Sequence, residues 1–502
     1  MKKISLIIVS ALLTAGAAVS QNIDDALRYS QVFYSGTARF NSMGGAFTAL
    51  GADMSTLSQN PAGIGMYRSS EFSITPRLNF VKSNTNFRDI SDDYLNKFNF
   101  GQVGYVANAF RSQSEDKSLL FNVGISFNRT NSFNQNVLVS GINNSSSIAD
   151  SWAWYSNGTD YRDLTGPEGI AFDAWVIDTI TGSGGRYYET AYSNYGDDWP
   201  SVYGQKMKRT IIYDGYIGEY AFSFGGNYLD KFYFGATLGI NTLRFSSYSE
   251  HIETMDKQLP SQFRSLNYVE YYENEGSGFT FKLGAIVKPI EILRIGVALH
   301  TPTYYRIDEY FYEDISSKFT DVDVDRGRDK NSYSFSNDPM RFNYALRTPL
   351  RLLTGVAVQI QKFAVLSADY EYLNYGTALF SQTGDGYNYS SKNTDIKNAL
   401  KTAGNFRVGG EYRYNNLYLR SGYGYYGKPF KANERNADLN YRTISGGMGF
   451  RARNLSFDFG YVNYKSTQYN FLYQLDPFDF NPAGYNLATT KNTFTFTLGV
   501  KF

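Results

Sequence analysis

Residues 493–502 read Thr-Phe-Thr-Phe-Thr-Leu-Gly-Val-Lys-Phe, and this stretch decides the fold class. Apolar residues occupy every second position, and threonine, glycine and lysine fill the positions between them. Successive side chains of a β-strand point to opposite faces, so the pattern predicts a strand with one apolar and one small, polar face. The apolar face must meet either a second sheet, as in a soluble sandwich, or membrane hydrocarbon, as in a barrel with a polar lumen.

The same alternation recurs along the chain, for example at 121–128, 232–241, 293–300 and 455–461. From the segments that carry it we predict 14 antiparallel strands, an even number that suits bacterial outer-membrane barrels. The strands are expected near 69–81, 99–111, 118–131, 209–227, 231–248, 268–288, 292–311, 340–360, 363–375, 402–414, 417–427, 440–452, 455–466 and 491–502.

Short and long connections alternate between these strands. Turns of two or three residues are expected at 228–230, 289–291, 361–362, 415–416 and 453–454. Between them lie long polar segments, such as 312–339, 376–401 and 467–490. Outer-membrane barrels have short periplasmic turns and long external loops, so both chain ends are expected on the periplasmic side. The predicted fold class is therefore all-β, a 14-stranded antiparallel transmembrane β-barrel.

Composition agrees with this fold class. The 502 residues include 44 Tyr and 38 Phe, which favour strands and form the aromatic girdles of membrane barrels. No stretch after the N-terminus approaches the roughly 18 consecutive apolar residues of a membrane-spanning helix. Cysteine is absent, which excludes disulfides and thiolate metal sites. The 48 basic and 47 acidic side chains nearly cancel, so nothing suggests nucleic acid as a partner.

Two segments precede the first predicted strand. Residues 1–20 have the basic start, apolar middle and small-residue end of a secretory signal peptide. Residues 21–68 lack the strand alternation and contain Met43-Gly44-Gly45-Ala46-Phe47 and Asn60-Pro61-Ala62. Small residues allow close packing in a narrow lumen, and the proline favours a turn. We interpret 21–68 as an N-terminal hatch, or plug, for the barrel of 69–502; a periplasmic tail is the alternative.

Several short motifs follow one another along the chain. The hatch segment carries Gly36-Thr37-Ala38-Arg39 besides the two motifs above. Further along come Gly276-Ser277-Gly278-Phe279, Ser367-Ala368-Asp369-Tyr370-Glu371-Tyr372, Arg407-Val408-Gly409-Gly410-Glu411 and Leu419-Arg420-Ser421-Gly422-Tyr423. As an ordered set they resemble the FadL/TodX family of outer-membrane transporters for long-chain fatty acids and aromatic hydrocarbons. In style the sequence is similar to members of that family from Bacteroidetes.

The resemblance implies a 14-stranded barrel with a hatch and a function in passive uptake of hydrophobic molecules across the cell outer membrane. The ligand would bind in the lumen and leave sideways through a gap in the wall after the hatch shifts. Asn60, Pro61 and Ala62 match the family's hatch motif, and the gap would lie near the third strand, at 118–131. Two alternatives stay open: a family-related shuttle in protein secretion, or a haem-receptor-like protein.

A long external loop is predicted at 132–208, and it contains all four tryptophans of the chain. Within it, one apolar helix face is expected around 167–180. That face would comprise Ile170, Ala171, Ala174, Trp175 and Ile177. Two interpretations of the loop remain. Trp152, Trp154 and Trp175 form an exposed patch that captures apolar ligand, or the aromatic side chains bury against one another and order the loop.

The alternation also places charged side chains on the lumen face, since Arg or Lys facing lipid costs about 2–4 kcal/mol at the midplane. These residues are Lys282, Arg294, Arg351, Asp369, Glu371, Arg407, Glu411, Arg413, Arg420 and Asp458. Pairing across strands is the ordinary role of such charges. Arg351, Arg407 and Arg420 are also candidate ligand-binding residues, because a guanidinium can form two parallel hydrogen bonds with a carboxylate.

Other chemistry finds little support in the sequence. The chain has two histidines and no visible Ser-His-Asp arrangement, so we predict no metal, cofactor or enzymatic activity. His251 is expected in an external loop, where it is only a weak candidate as an iron ligand. Asp321, Asp323 and Asp325 either bind a divalent ion that bridges lipopolysaccharide or form a solvated loop face. The terminal Phe502 resembles the signal read by the barrel assembly machinery, and a monomer surrounded by outer-membrane lipid is expected.

Overall fold

The computed structural model describes residues 22–112, 119–180, 182–193, 203–256, 262–384, 386–475 and 483–502. They form a closed antiparallel barrel of 14 wall strands, each counted once where a bend interrupts it. The wall strands are β1 Glu71–Asn86, β2 Ile90–Arg111, β3 Leu119–Ser132 with Gln135–Asn143, β4 Gln205–Tyr228, β5 Phe232–Thr254, β6 Phe263–Ile290, β7 Leu293–His300 with Tyr304–Phe319, β8 Ser332–Ser336 with Met340–Arg347 and Arg351–Ile360, β9 Ala364–Asn374 with Leu379–Gln382, β10 Thr402–Tyr414, β11 Leu417–Tyr426, β12 Tyr441–Ala452, β13 Leu455–Phe471 and β14 Gly484–Lys501. Lys501 of β14 lies opposite Glu71 of β1, which closes the sheet and confirms the predicted fold class.

The short turns lie within one or two residues of their predicted positions. In two of them Asn415 and Arg453 adopt φ values of 54° and 52°, the left-handed backbone that two-residue hairpin turns require. At the opposite, loop-bearing end the strands run further than predicted. For example, β14 begins at Gly484 rather than near 491. In this extension Tyr485 and Leu487 are buried in the apolar core of the loops and Asn486 is exposed, so apolar side chains no longer mark the outer face.

The outer face of the wall is apolar, as the alternation predicts. Phe279 is 58% exposed, Ile295 48% and Phe457 48%, although all three are large hydrophobic side chains. An exposed apolar belt of this kind is stable only against lipid, as in transmembrane barrels. None of the helices in the described part of the chain is long and apolar enough to cross a membrane.

The segment before β1 folds into four short helices that pack inside the barrel. They are α1 Ile23–Ser30, α2 Ala38–Ser42, α3 Thr56–Gln59 and the 3₁₀ helix Pro61–Met66. Side-chain oxygens of Asn22 and Thr37 accept backbone N–H groups at the starts of α1 and α2. Proline occupies the first position of the 3₁₀ helix, where its missing N–H is tolerated. We call residues 22–68 the hatch.

Lumenal side chains of the wall hold the hatch by its backbone. Lys282 donates to the carbonyl of Ser58 at 2.7 Å, and Asn122 donates to that of Ile64 at 2.7 Å. The carboxylate of Asp369 accepts hydrogen bonds from the N–H of Thr48 at 2.9 Å and from its hydroxyl at 2.7 Å. Polar groups of the wall therefore satisfy hatch groups that lumen burial would otherwise leave unpaired.

The long loop is shorter than predicted. β3 resumes after a bend as Gln135–Asn143, and β4 begins at Gln205, so the loop spans 144–204 and not 132–208. The structure describes its residues 144–180, 182–193 and 203–204, and we call the first two of these ranges the cap. It contains the helix α4 Ile148–Ser156 and the 3₁₀ turns Tyr161–Asp163 and Ala191–Ser193.

The helix expected around 167–180 also ends earlier. The structure has α5 at Gly166–Asp173 only. Trp175 adopts a φ of 58°, which breaks the helix, and Ile177–Thr179 then pairs with Tyr188–Thr190 as a small hairpin. Elsewhere the loops carry α6 Ser390–Ala399 and the 3₁₀ turns Val324–Arg326 and Tyr375–Thr377.

Candidate functional site

A cavity of about 300 Å³ lies in the lumen between the hatch and the loop-bearing end of the wall. Hatch residues from Arg28 to Gly45 contribute one side of it, and β1, β3 and β11–β14 contribute most of the rest. This volume is at the lower end of the range of about 300–1,000 Å³ that is usual for small-molecule pockets. We call this space the lumenal cavity.

Two groups of aromatic rings line the lumenal cavity. Phe33 of the hatch meets Tyr426, Tyr441 and Tyr464 edge-on, with ring centroids 4.9, 5.2 and 5.6 Å apart. The ring of Phe133 lies 5.2 Å from that of Phe245. Such rings offer a large apolar surface and a few hydroxyl groups, a lining that suits an apolar ligand.

Four cations line the lumenal cavity. Arg28 pairs with Asp25, whereas Arg77, Arg129 and Lys491 form a separate group of three. Arg77 donates to Asn99 at 3.0 Å and to Ser35 at 2.9 Å, yet its Nη2 is buried without a hydrogen-bond partner. Arg129 lies 3.9 Å above the ring of Tyr216, and its Nε is likewise buried and unpaired.

The positive charges of Arg77, Arg129 and Lys491 lie close enough to repel one another. Within the described ranges, no carboxylate lies within 4.0 Å of any of the three; Asp214 acts on Arg129 from further away and pairs instead with Lys97. A cation that is shielded from water is stabilised when an anion lies beside it, and none of the described carboxylates pairs with these three residues.

The barrel wall is interrupted beside this cavity. β2 and β3 form a ladder only from the pair Gln102–Asn128 to the pair Arg111–Leu120. In the described part of the chain, no ladder joins residues 90–101 of β2 to β3.

At this point β3 bends into the lumen instead of following β2. Thr85, which faces the lumen, donates to the carbonyl of Leu138 at 2.5 Å, and the hydroxyls of Ser91 and Ser140 lie 2.9 Å apart. β3 therefore leaves a gap between β2 and β4, which we call the lateral gap. Arg129 and residues 131–135, at the bend of β3, line the lumenal cavity.

One ion pair spans the lateral gap. Lys97 of β2 donates to the two carboxylate oxygens of Asp214 of β4, at 3.1 and 3.0 Å. Asp214 also accepts a hydrogen bond from Asn134 on the bent part of β3. The partners are 42% and 51% exposed, so the pair is a weak bridge of the kind that contributes about 0–1 kcal/mol.

All three candidate ligand-binding arginines pair with carboxylates, although Nε and Nη2 of Arg407 and Nη2 of Arg420 stay buried without a hydrogen-bond partner. Arg351 and Arg407 both pair with Glu371, at 2.6 and 2.9 Å. Arg420 pairs with Glu411 at 2.6 Å and with Asp458 at 2.7 Å. The structure shows the pairing across strands, and ligand contact by these arginines stays a prediction. Glu411 also accepts a hydrogen bond from the hatch residue Arg39 at 3.0 Å, so these pairs help to hold the hatch.

The tryptophans do not form one exposed patch. Trp152 is only 4% exposed and packs edge-on against Tyr268 with ring centroids 5.2 Å apart. Trp154 is 41% exposed and contacts Tyr155, whereas Trp175 packs against the apolar core of the cap. Trp199 lies outside the described residues. A capture patch made of Trp152, Trp154 and Trp175 together is therefore wrong, because burial of aromatic surface orders the cap.

His251 is also placed differently from the expectation. It lies on β5 rather than in a loop and is fully buried, with its Nε2 2.9 Å from Glu253. Glu253 in turn accepts hydrogen bonds from the hydroxyl of Ser147 at 2.6 Å and from the N–H of Ile148 at 3.0 Å. The histidine thus belongs to the polar network that fixes the start of α4. It is not an exposed iron ligand.

The contacts at the start of α4 predict that the stability of the folded cap depends on pH. Asp150 accepts from the N–H of Ser147 at 2.7 Å and from the hydroxyl of Tyr203 at 2.8 Å, and burial raises its pKa to about 7. The folded cap thus favours the protonated carboxyl. Its contribution to stability is fully present below the ordinary pKa of 3.8 and is lost as pH rises through about 7.

We therefore expect amide hydrogen exchange in Ile148–Ser156, corrected for intrinsic rates, to be faster at pH 8 than at pH 5. Asp150→Asn keeps a neutral acceptor at the same place and should abolish the difference. Equal protection of the wild-type helix at both pH values would contradict this assignment.

Two of the three cavity cations were detectable in the sequence. The alternation of β1 and β14 puts Arg77 and Lys491 on the polar face of each strand, which is the face predicted to line the lumen. Arg129 has the same parity as the lipid-facing Phe127, so the alternation misplaces it. An irregularity between Arg129 and Asn131, at the bend of β3, carries it to the cavity.

Fold and site together define a plugged transmembrane barrel with a lumenal cavity beside a gap in its wall. Neither a protein-family model nor a curated protein matches the chain. Among solved structures it is similar to the P. putida toluene transporter TodX, with a TM-score of 0.51 and 12% identity, covering 94% of this chain and 99% of that one. It is also similar to a Pseudomonas aeruginosa FadL homologue, with a TM-score of 0.52 and 13% identity, covering 93% of this chain and 98% of that one. This likeness establishes a shared fold.

Proposed function

We propose that this protein is an outer-membrane channel of the FadL/TodX family for passive uptake of hydrophobic molecules. The observation that carries the proposal is the lumenal cavity, which is lined with aromatic rings and lies beside the lateral gap. The hatch fills the lumen next to this cavity, which blocks a straight aqueous path. Transfer of a hydrophobic molecule into periplasmic water is unfavourable, and a side exit into the bilayer avoids it.

We further propose that the preferred ligands carry an anionic head group, as long-chain fatty acids do. Arg77, Arg129 and Lys491 offer an anion charge-assisted hydrogen bonds, whereas the rings around Phe33 and Phe133 suit an apolar chain. A neutral aromatic hydrocarbon, such as the toluene named for TodX, would leave the three cations unpaired.

The proposed route leads sideways out of the wall. Arg129 and residues 131–135 line the cavity at the bend of β3, next to the lateral gap, so a ligand need move only across β3 to reach lipid. The Lys97–Asp214 bridge is weak enough to open thermally. A shift of the hatch residues next to Arg77, such as Ser35, would release the head group of the ligand from the cavity cations.

An uptake assay tests the function and the ligand class together. We expect Arg77→Gln/Arg129→Gln to lower uptake of radiolabelled oleate by roughly tenfold or more, since each lost charged hydrogen bond is worth about 1.5–3 kcal/mol. Toluene uptake should stay unchanged. The matched control is Arg306→Gln/Arg341→Gln, which removes two exposed arginines that do not line the cavity.

Three outcomes would contradict the proposal. If both variants lose oleate uptake equally, the cavity cations have no special role. If oleate uptake is unaffected, the ligand class is wrong. If the wild-type protein transports neither compound and instead co-purifies with secreted proteins, the secretion-shuttle alternative replaces the channel.

A further inference from the structure

A groove of about 660 Å³ lies on the outer face of the wall, at the loop-bearing end of β11–β14. Outward side chains of Tyr423, Ile444 and Lys465 form part of its floor, and the loop that follows β11 forms its rim. That loop is fixed in place, because Asn436 exchanges two hydrogen bonds with the backbone of Tyr469, at 2.8 and 3.0 Å. We call this feature the outer groove.

The outer groove contains basic side chains that form no ion pair with the described acidic residues. Arg442 and Lys465 lie directly opposite each other in the β12–β13 register, an arrangement in which like charges destabilise a sheet. Arg435 adds a third cation. Asp438, the acid on the rim, is bonded at 2.5 Å to Lys428. Over the described residues, no carboxylate pairs with Arg442 or Lys465 within 4.0 Å.

Apolar side chains continue from the groove towards the middle of the wall. On β12 the outward residues after Arg442 include Ile444, Met448 and Phe450, which are 63%, 52% and 48% exposed. The cations therefore stand where the apolar belt ends, at the level of lipid head groups on the loop-bearing side. In an outer-membrane barrel this side is the external one.

We propose that the outer groove binds a phosphorylated glycolipid of the outer leaflet, of the lipopolysaccharide type. A phosphate between Arg442 and Lys465 would relieve their repulsion with charge-assisted hydrogen bonds. The acyl chains would lie along Ile444, Met448 and Phe450. Charge complementarity at the edge of an apolar belt is the general basis of anionic-lipid recognition. The groove is outside the barrel and shares neither Arg77 nor Arg129, so this inference does not depend on the uptake proposal.

Native mass spectrometry of the full chain in detergent, with purified lipopolysaccharide as the probe, tests the site. We expect Arg442→Gln/Lys465→Gln to weaken binding by about tenfold or more, because each basic residue near an anionic lipid surface adds to the affinity for the lipid. After chemical dephosphorylation of the same lipopolysaccharide, wild type and variant should bind it equally weakly. Heat-modifiable electrophoretic mobility confirms that both barrels are folded.

The matched control is Lys206→Gln/Lys208→Gln, which removes two exposed lysines from β4, remote from the groove. It should bind lipopolysaccharide as the wild type does. An equal loss in both double variants would show general attraction between charges, and unchanged binding in Arg442→Gln/Lys465→Gln would show no phosphate contact. Either result overturns the proposal.

Discussion

A Gly409→Val variant is expected to pass a steady ion current in planar bilayers, whereas the wild-type barrel stays closed. Gly409 lies on the lumen face of β10, against the hatch residue Met43. A Cβ at this position would lie 2.8 Å from the Cβ of Met43 and closer still to its carbonyl oxygen. Because Met43 is fully buried, close packing leaves no space for it to move away by itself. The valine side chain should therefore displace the whole hatch. Valine itself suits a strand, so the wall should persist.

The control for this variant is its neighbour on the same strand. Gly410 faces the other side of the wall, and the nearest atom to an added Cβ is Cδ2 of Leu366 at 3.2 Å, the end of a flexible side chain. Gly410→Val should therefore remain closed. Gly296→Val, whose Cβ would lie 2.8 Å from Cα of the hatch residue Ala49, should open the pore as Gly409→Val does. A closed barrel in both lumen-facing variants would show that the hatch does not seal the lumen.

Replacement of Glu371 by glutamine is expected to lower the free energy of unfolding by about 3–5 kcal/mol. Glu371 is fully buried and is the common partner of Arg351 and Arg407, at 2.6 and 2.9 Å. It also accepts a hydrogen bond from Asn405 at 3.2 Å. Without its charge, Arg351 and Arg407 both stay buried but lose the carboxylate that pairs with them. Arg351 also donates to the carbonyl of Ser30, so the loss extends to the hatch.

Urea titration of the protein in lipid vesicles measures this effect. Glu275→Gln is the matched control, because Glu275 makes the same kind of pair with Arg244 at 3.3 Å but the partners are 56% and 65% exposed. Solvent screens such a pair, so the control should change the unfolding free energy by less than about 0.5–1 kcal/mol. A similar loss in both variants would mean that burial does not set the strength of the Glu371 pairs.

The strands and turns were predictable because their signals are local. In β10 the sequence Arg407-Val408-Gly409-Gly410-Glu411 shows which side chains face the lumen, and the Asn415-Asn416 turn follows at the predicted place. The errors fall where a strand leaves the lipid belt. Beyond it, alternation loses its physical cause, which explains why β14 begins earlier than expected and why His251 was mistaken for a loop residue.

The candidate site was less predictable, because it depends on contacts between distant parts of the chain. The hatch motifs at 43–47 and 60–62 were recognised, and the structure places them in the lumen with Ala46 and Asn60 fully buried. The resemblance implied a binding site in the lumen and a gap near the third strand, but the residues that line the lumenal cavity were not anticipated. The cavity exists because β3 bends inward, and no residue type at that bend signals it. The tryptophan-rich loop was recognised as unusual, yet only its fold shows that Trp152 is buried.

The sequence by itself determined the barrel, its strand number and the faces of its strands, because a period of two residues records which side of each strand meets lipid. It did not determine which lumenal cations have a carboxylate as a partner. Arg351 and Arg77 occupy the same kind of inward position, but strand register brings Glu371 to the first, whereas the second faces a cavity beside other cations. Pairing of this kind depends on side chains far apart in the chain meeting across the lumen, and only the closed tertiary structure decides it.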